Sequence, residues 1–155
     1  MTAATQTAVK AITITSAAFK DQGAIPKKYG CSGESISPPL SFSGIPREAK
    51  SLVLILTDPD APGGLFTHWV VWNIPPADAS IGEGQRPGGI EGVNSFGNNG
   101  YGAPCPPNGS HRYIFDTYAL DTTLSLAKGS GREDVEKAMQ GHIAAQGKIV
   151  GTYRK

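Results

Sequence analysis

Residues 51–57 read Ser-Leu-Val-Leu-Ile-Leu-Thr and stop at Asp58-Pro59. The apolar run does not alternate, so it is consistent with a strand buried on both faces rather than one with a wet side. Pro59 holds Asp58 in extended backbone and cannot donate to a ladder, which ends the strand. The next two residues repeat the chemistry: Asp60-Ala61-Pro62. Two carboxylates at i and i+2 on proline-stiffened, extended backbone are expected to project to one side. Such a pair can orient histidines or accept hydrogen bonds from a ligand, or it can be a solvated turn.

Other strands follow from the same kind of pattern. Ala11–Ser16 alternates isoleucine with threonine, and Leu40–Ser43 is a short candidate. Thr67–Ile74 (THWVVWNI) ends at Pro75-Pro76. Period 2 puts His68, Val70, Trp72 and Ile74 on one face and sets Trp69 opposite Trp72. In His111–Asp121, His111, Tyr113, Phe115 and Thr117 share one face, with Arg112, Ile114, Asp116 and Tyr118 on the other. One helix is expected. Ser130-Gly131-Arg132-Glu133 fits a capping box. Val135, Ala138, Met139, His142, Ile143 and Gln146 then follow at helical spacing, and Gly147 can end it. A final strand covers Lys148–Arg154. The fold class is therefore mainly β, an antiparallel two-sheet sandwich with one short C-terminal helix. Residues 1–10 are expected to be a flexible tail and residues 11–155 a single domain.

Composition narrows the function classes. With 155 residues, 39% hydrophobic and 17% charged, the chain suits one globular core and not disorder. A net charge of +1 and no basic stripe argue against a nucleic-acid partner. The apolar runs are too short to span a bilayer. Residues 1–16 contain no apolar signal-peptide core, so a cytoplasmic location is expected. Cys31 and Cys105 read as two reduced, half-buried thiols, with a single bridge left open.

The chemistry-bearing residues sit at strand ends. His68 opens one strand after Gly63-Gly64, and His111 opens another after Gly109-Ser110. Loops on a rigid scaffold are where binding residues collect. Gly97–Gly109 is rich in glycine and proline and is expected to be either an anion-binding nest or an ordered Ω-like loop. Arg112 is expected to pair with an aspartate, and His142 to sit in the helix. There is no nucleophile elbow, zinc helix or P-loop. No catalytic residue, metal site or cofactor is assigned.

Taken together, Asp58-Pro-Asp-Ala-Pro62, His68-Trp69, Gly-Tyr-Gly-x-Pro104-Cys-Pro-Pro107, His111-Arg-Tyr113 and Tyr118-Ala-Leu-Asp121 resemble the phosphatidylethanolamine-binding protein family. The likeness is to its bacterial and archaeal Raf-kinase-inhibitor-like branch and runs over roughly residues 11–154. It implies a β-sandwich with an exposed anion pocket. The pocket would be lined by Asp58, His68, Pro104, His111 and Tyr113 and supported by Asp60, Pro62 and Arg112. Ala103 stands where the family usually has glycine, and the eukaryotic C-terminal extension is absent.

The expected function is binding of phosphate-bearing small molecules, such as phosphoethanolamine-like head groups, and not catalysis. Imidazole N–H groups and loop amides would meet the phosphate, with Asp58 sustaining a charged imidazole. The alternatives are inhibition of a serine protease or kinase by protein contact, and a phosphoester hydrolase. No nucleic acid or stable membrane insertion is expected, and the protein would be a monomer or homodimer.

Overall fold

The computed structural model describes residues 9–155. Ten strands, one 3₁₀ turn and one α-helix follow in chain order. The strands before the turn are β1 (Lys10–Ala11), β2 (Thr13–Thr15) and β3 (Gly23–Ala24); the turn is Lys27–Tyr29. Then come β4 (Leu40–Ser43), β5 (Ser51–Asp58), β6 (Phe66–Ile74), β7 (Ala79–Ile81), β8 (Ile90–Glu91) and β9 (Ser110–Leu120). The chain closes with α1 (Arg132–Met139) and β10 (Ile143–Arg154). Most of the tail expected over residues 1–10 lies outside the described residues, and Lys10 pairs with Ala145 in β10.

The larger sheet runs β1-β10-β9-β5-β6-β8, with β3 also on β10; the smaller runs β2-β4-β7. All pairings are antiparallel except those of β1 and β3 with β10. Leu52, Leu54 and Leu56 pack between the sheets with Phe42, Trp69 and Phe115. Val53 and Ile55 point the other way, into a second core with Trp72, Val135 and Met139. The larger sheet is thus covered on one face by the smaller sheet and on the other by α1. That explains why residues 52–56 carry no polar alternation.

The helix is shorter than the periodicity suggests. Gly131, not Ser130, is the N-cap, and the Asp134 carboxylate accepts the Gly131 N–H at 3.0 Å. Gly141 turns the chain at φ 80°, and the expected helical residues Ile143 and Gln146 belong to β10 instead. The strand wins because β9 offers it a ladder along its whole length, from Ile143 opposite Leu120 to Arg154 opposite Ser110. Gly147 is not a helix cap. A Cβ there would lie 2.0 Å from the Ile12 carbonyl oxygen, so glycine is what lets the two backbones approach. His142 lies beyond the helix and pairs with Asp121 at 2.7 Å.

The cysteines form a Cys31–Cys105 bridge, which replaces the expected pair of reduced thiols. Their separation of 74 residues hid the contact, because only the folded chain brings the two loops together. Among the described residues, no helix is long and apolar enough to cross a membrane.

Candidate functional site

Three neighbouring strands, β5, β6 and β9, deliver the site. Asp58 is the last residue of β5 and is only 3% exposed. Its Oδ1 accepts the Asp60 N–H at 2.8 Å, closing a turn over Pro59. Its Oδ2 accepts Nδ1–H of His111 at 2.7 Å. The two carboxylates therefore separate, contrary to the common side expected for extended backbone. Asp60 turns outward and accepts three hydrogen bonds from Arg112, from its N–H at 2.8 Å, Nε at 3.0 Å and Nη2 at 2.8 Å. This guanidinium holds the Asp60 carboxyl down to about 2. Adjacent residues of β9 thus tie down both ends of one turn.

His68 reaches the site through an irregularity. Leu56 faces Trp69 and Thr57 faces Thr67, which leaves His68 as an extra residue, a β-bulge. The bulge puts His68 on the same side as Trp69. The expected shared face of His68 with Val70 and Trp72 is therefore corrected: those two pack toward α1, while the His68 ring meets Tyr113 edge-on at 5.2 Å. A second bulge, at Asn73 with φ 56°, returns Ile74 to the inter-sheet core.

Nδ1 of His68 lies 2.7 Å from the Gly102 carbonyl oxygen, which can only accept, so Nδ1 carries the hydrogen. Gly102 N–H returns a bond to the His68 carbonyl at 2.7 Å. Burial pushes the His68 pKa below its ordinary value, outweighing the Gly102 bond and the Asp58 charge that raise it. Burial thus disfavours a charged His68, whereas the His111 ring faces the Asp58 carboxylate directly. Tyr113 completes the group. Burial, with the Asp58 charge next, pushes its phenol pKa up, and its buried hydroxyl makes no hydrogen bond of ordinary geometry.

These groups line a cavity of about 140 Å³. Its walls are apolar, formed by Pro62, Phe66, Phe96, Pro106 and Pro107. Four of the five expected lining residues, Asp58, His68, His111 and Tyr113, come together here. Pro104 does not line it: it is buried one step upstream, and its carbonyl accepts the Cys31 N–H at 2.9 Å. Cys105, Pro106 and Pro107 take its place. Of the supporting residues, Pro62 reaches the cavity, whereas Asp60 and Arg112 brace its rim.

The glycine-rich loop supplies walls of the cavity, and its glycine amides at 97, 100 and 102 are already bonded: Gly97 N–H goes to the Asn94 carbonyl, Gly100 N–H to that of Gly92 and Gly102 N–H to that of His68. Buried Asn94 organises it, with Oδ1 accepting from Phe96 and Asn98 and Nδ2 donating to the Gly100 carbonyl. This presents Phe96 against Phe66 at 4.7 Å and the His68 ring at 5.5 Å. Sequence reasoning missed Phe66, Phe96 and Asn94. The signal available was one aromatic residue stranded in a polar glycine loop.

The family model for phosphatidylethanolamine-binding protein matches residues 15–154. A UPF0098 protein of Methanothermobacter thermautotrophicus is 52% identical over 144 residues, covering 89% of this chain and 95% of the relative. One from Chlamydia trachomatis is 50% identical over 147 residues, covering 92% and 98%. Among solved structures, a phosphatidylethanolamine-binding protein homologue from Chlamydia trachomatis superposes with TM-score 0.91 at 49% identity, covering 94% of this chain and 99% of the other. Escherichia coli YbcL, described as a member of the mammalian family, gives TM-score 0.84 at 30% identity over 93% and 98%.

Proposed function

The chain belongs to the phosphatidylethanolamine-binding protein family, and from that premise we propose that the cavity between β5, β6 and β9 binds the phosphate end of a small molecule without transforming it. The observation that carries this reading is the buried Tyr113 hydroxyl, which lies beside Asp58 and two imidazoles on the same cavity and makes no hydrogen bond of ordinary geometry. A buried donor without a well-formed hydrogen bond is costly, and a phosphate oxygen would relieve it. His111, charge-balanced by Asp58, adds a second donor. The apolar walls exclude water and strengthen both. Cys105, which also lines the cavity, is bridged and offers no free thiol.

Histidine-ring NMR during titration with phosphate and phosphoethanolamine tests the reading. Both rings should shift saturably, and His111→Ala and His68→Ala should each abolish the response. Silent rings in the parent protein would overturn it.

A second reading, contact with a protease or kinase, is favoured by one feature. Phe96, which lines the cavity, is 50% exposed. Stoichiometric inhibition of a serine protease or kinase, lost on Phe96→Ser, would establish it. The Cys31–Cys105 bridge bears on location. Such bonds persist chiefly in oxidising compartments, so the bridge favours one of these over the cytoplasm.

A further inference from the structure

Anion sites are usually read as rows of donors. This one has a built-in acceptor. The Gly102 carbonyl takes Nδ1–H of His68 at 2.7 Å, and the reciprocal Gly102 N–H bond to the His68 carbonyl locks loop and strand together. The ring is 3% exposed and is packed by Phe66 at 4.9 Å, Phe96 at 5.5 Å and Tyr113 at 5.2 Å, which hold its plane. The titratable groups facing it are Asp58 from β5 and His111 and Tyr113 from β9. Of these, Asp58 already accepts from His111 and from the Asp60 amide. Desolvation opposes a second proton on the ring. Nε2 of His68 is therefore a lone pair, with no partner among the described residues. A fully ionised oxyanion set against it meets repulsion, whereas an O–H meets a hydrogen-bond acceptor.

Building on the proposed anion site, we infer that the cavity selects the monoprotonated form of a phosphate monoester, through a hydrogen bond that the ligand's own P–O–H donates to Nε2 of His68. The remaining phosphate oxygens would accept from the Tyr113 hydroxyl and from Nε2–H of His111 as the imidazolium its ion pair with Asp58 supports. The ligand then has one donor for the single acceptor and acceptors for the two donors. Sulfate esters and phosphate diesters have the same tetrahedral shape but no hydrogen to give. His68 is thus the specificity-determining residue, and Gly102 is the residue that positions it.

The test compares methyl phosphate with methyl sulfate by calorimetry at about pH 5.5, below the second ionisation of a phosphate monoester near pH ~6. There the two ligands match in shape and in single negative charge and differ by one hydrogen. Methyl phosphate should bind at least about tenfold tighter. In the same complex, ¹⁵N NMR should find Nδ1 of His68 protonated and Nε2 bare. In His68→Gln the preference should collapse toward unity, because an amide can turn either its oxygen or its NH₂ to the ligand. The ¹⁵N measurement needs no variant, so it stands even where that variant fails to fold. Equal affinities, or a preference accompanied by a protonated Nε2, would overturn this inference while leaving the anion site in place. Binding of neither ligand would remove both.

Discussion

Asp58 and His111 are 53 residues apart in sequence and 2.7 Å apart in the fold, joined carboxylate to imidazole on the buried side of β9. The next residue, Arg112, holds Asp60 on the outer side. One short turn is therefore gripped twice by consecutive residues of one strand.

Removing the inner carboxylate should matter more than removing the outer one. Asp58→Asn keeps the shape but takes away the buried carboxylate that accepts from His111. Phosphate affinity should fall at least about tenfold near pH ~6, with a stability loss of about 1–3 kcal/mol. Calorimetry and urea unfolding on the same preparation check both.

Asp60 has a different signature. Arg112 holds its pKa at about 2 against an ordinary 3.8. A depressed carboxyl contributes stability that is present above its unfolded value and lost as pH falls through the folded one. Asp60→Ala should therefore flatten the acid side of the stability profile between about pH 4 and 2. The pair is solvent-screened, so the cost at neutral pH should stay below about 1 kcal/mol.

His68 acts in a higher window. Its folded pKa lies below the ordinary value of 6.5, so the unfolded chain takes up a proton that the folded chain resists. Its contribution is present above about pH 6.5 and lost as pH falls through the folded value. Stability measured by urea at a series of pH values should decline over that range in the parent, and His68→Phe should remove the His68 part of the slope.

The Cys31–Cys105 bridge closes a long loop, and severing it should release the loop that carries Pro106 and Pro107 from the segment beside Tyr29. Chain-entropy arguments give about 4 kcal/mol for a loop of this length. The double variant Cys31→Ser with Cys105→Ser should melt well below the parent. Thiol titration of the unfolded, unreduced parent should find no free cysteine.

Gly147→Ala tests the reassignment of the C-terminal segment. A helix cap would tolerate alanine at a small cost. A glycine whose added Cβ would sit 2.0 Å from a backbone oxygen would not, and the loss should be about 3 kcal/mol. Thermal unfolding decides between the two.

Local rules carried much of this protein. Residues 52–56 had to be buried on both sides because nothing in them can face water, and Pro59 had to end that strand. Alternation in β9 placed His111 and Tyr113 together on one face. The motifs around Asp58, His68 and His111 point to one site, and the family likeness joins them. What remained hidden depended on contacts between distant segments. His68 changes face because a bulge, set by pairing with β5, inserts one residue. The Ile143–Gln146 stretch has helical spacing but takes the ladder that β9 offers. Cys31 and Cys105 meet only when two loops dock. The His68 lone pair exists because a carbonyl 34 residues away claims the other ring nitrogen. Periodicity and proline act on neighbours in the chain and are legible there; register, bulges and tautomers are settled by partners that only the tertiary fold brings within reach.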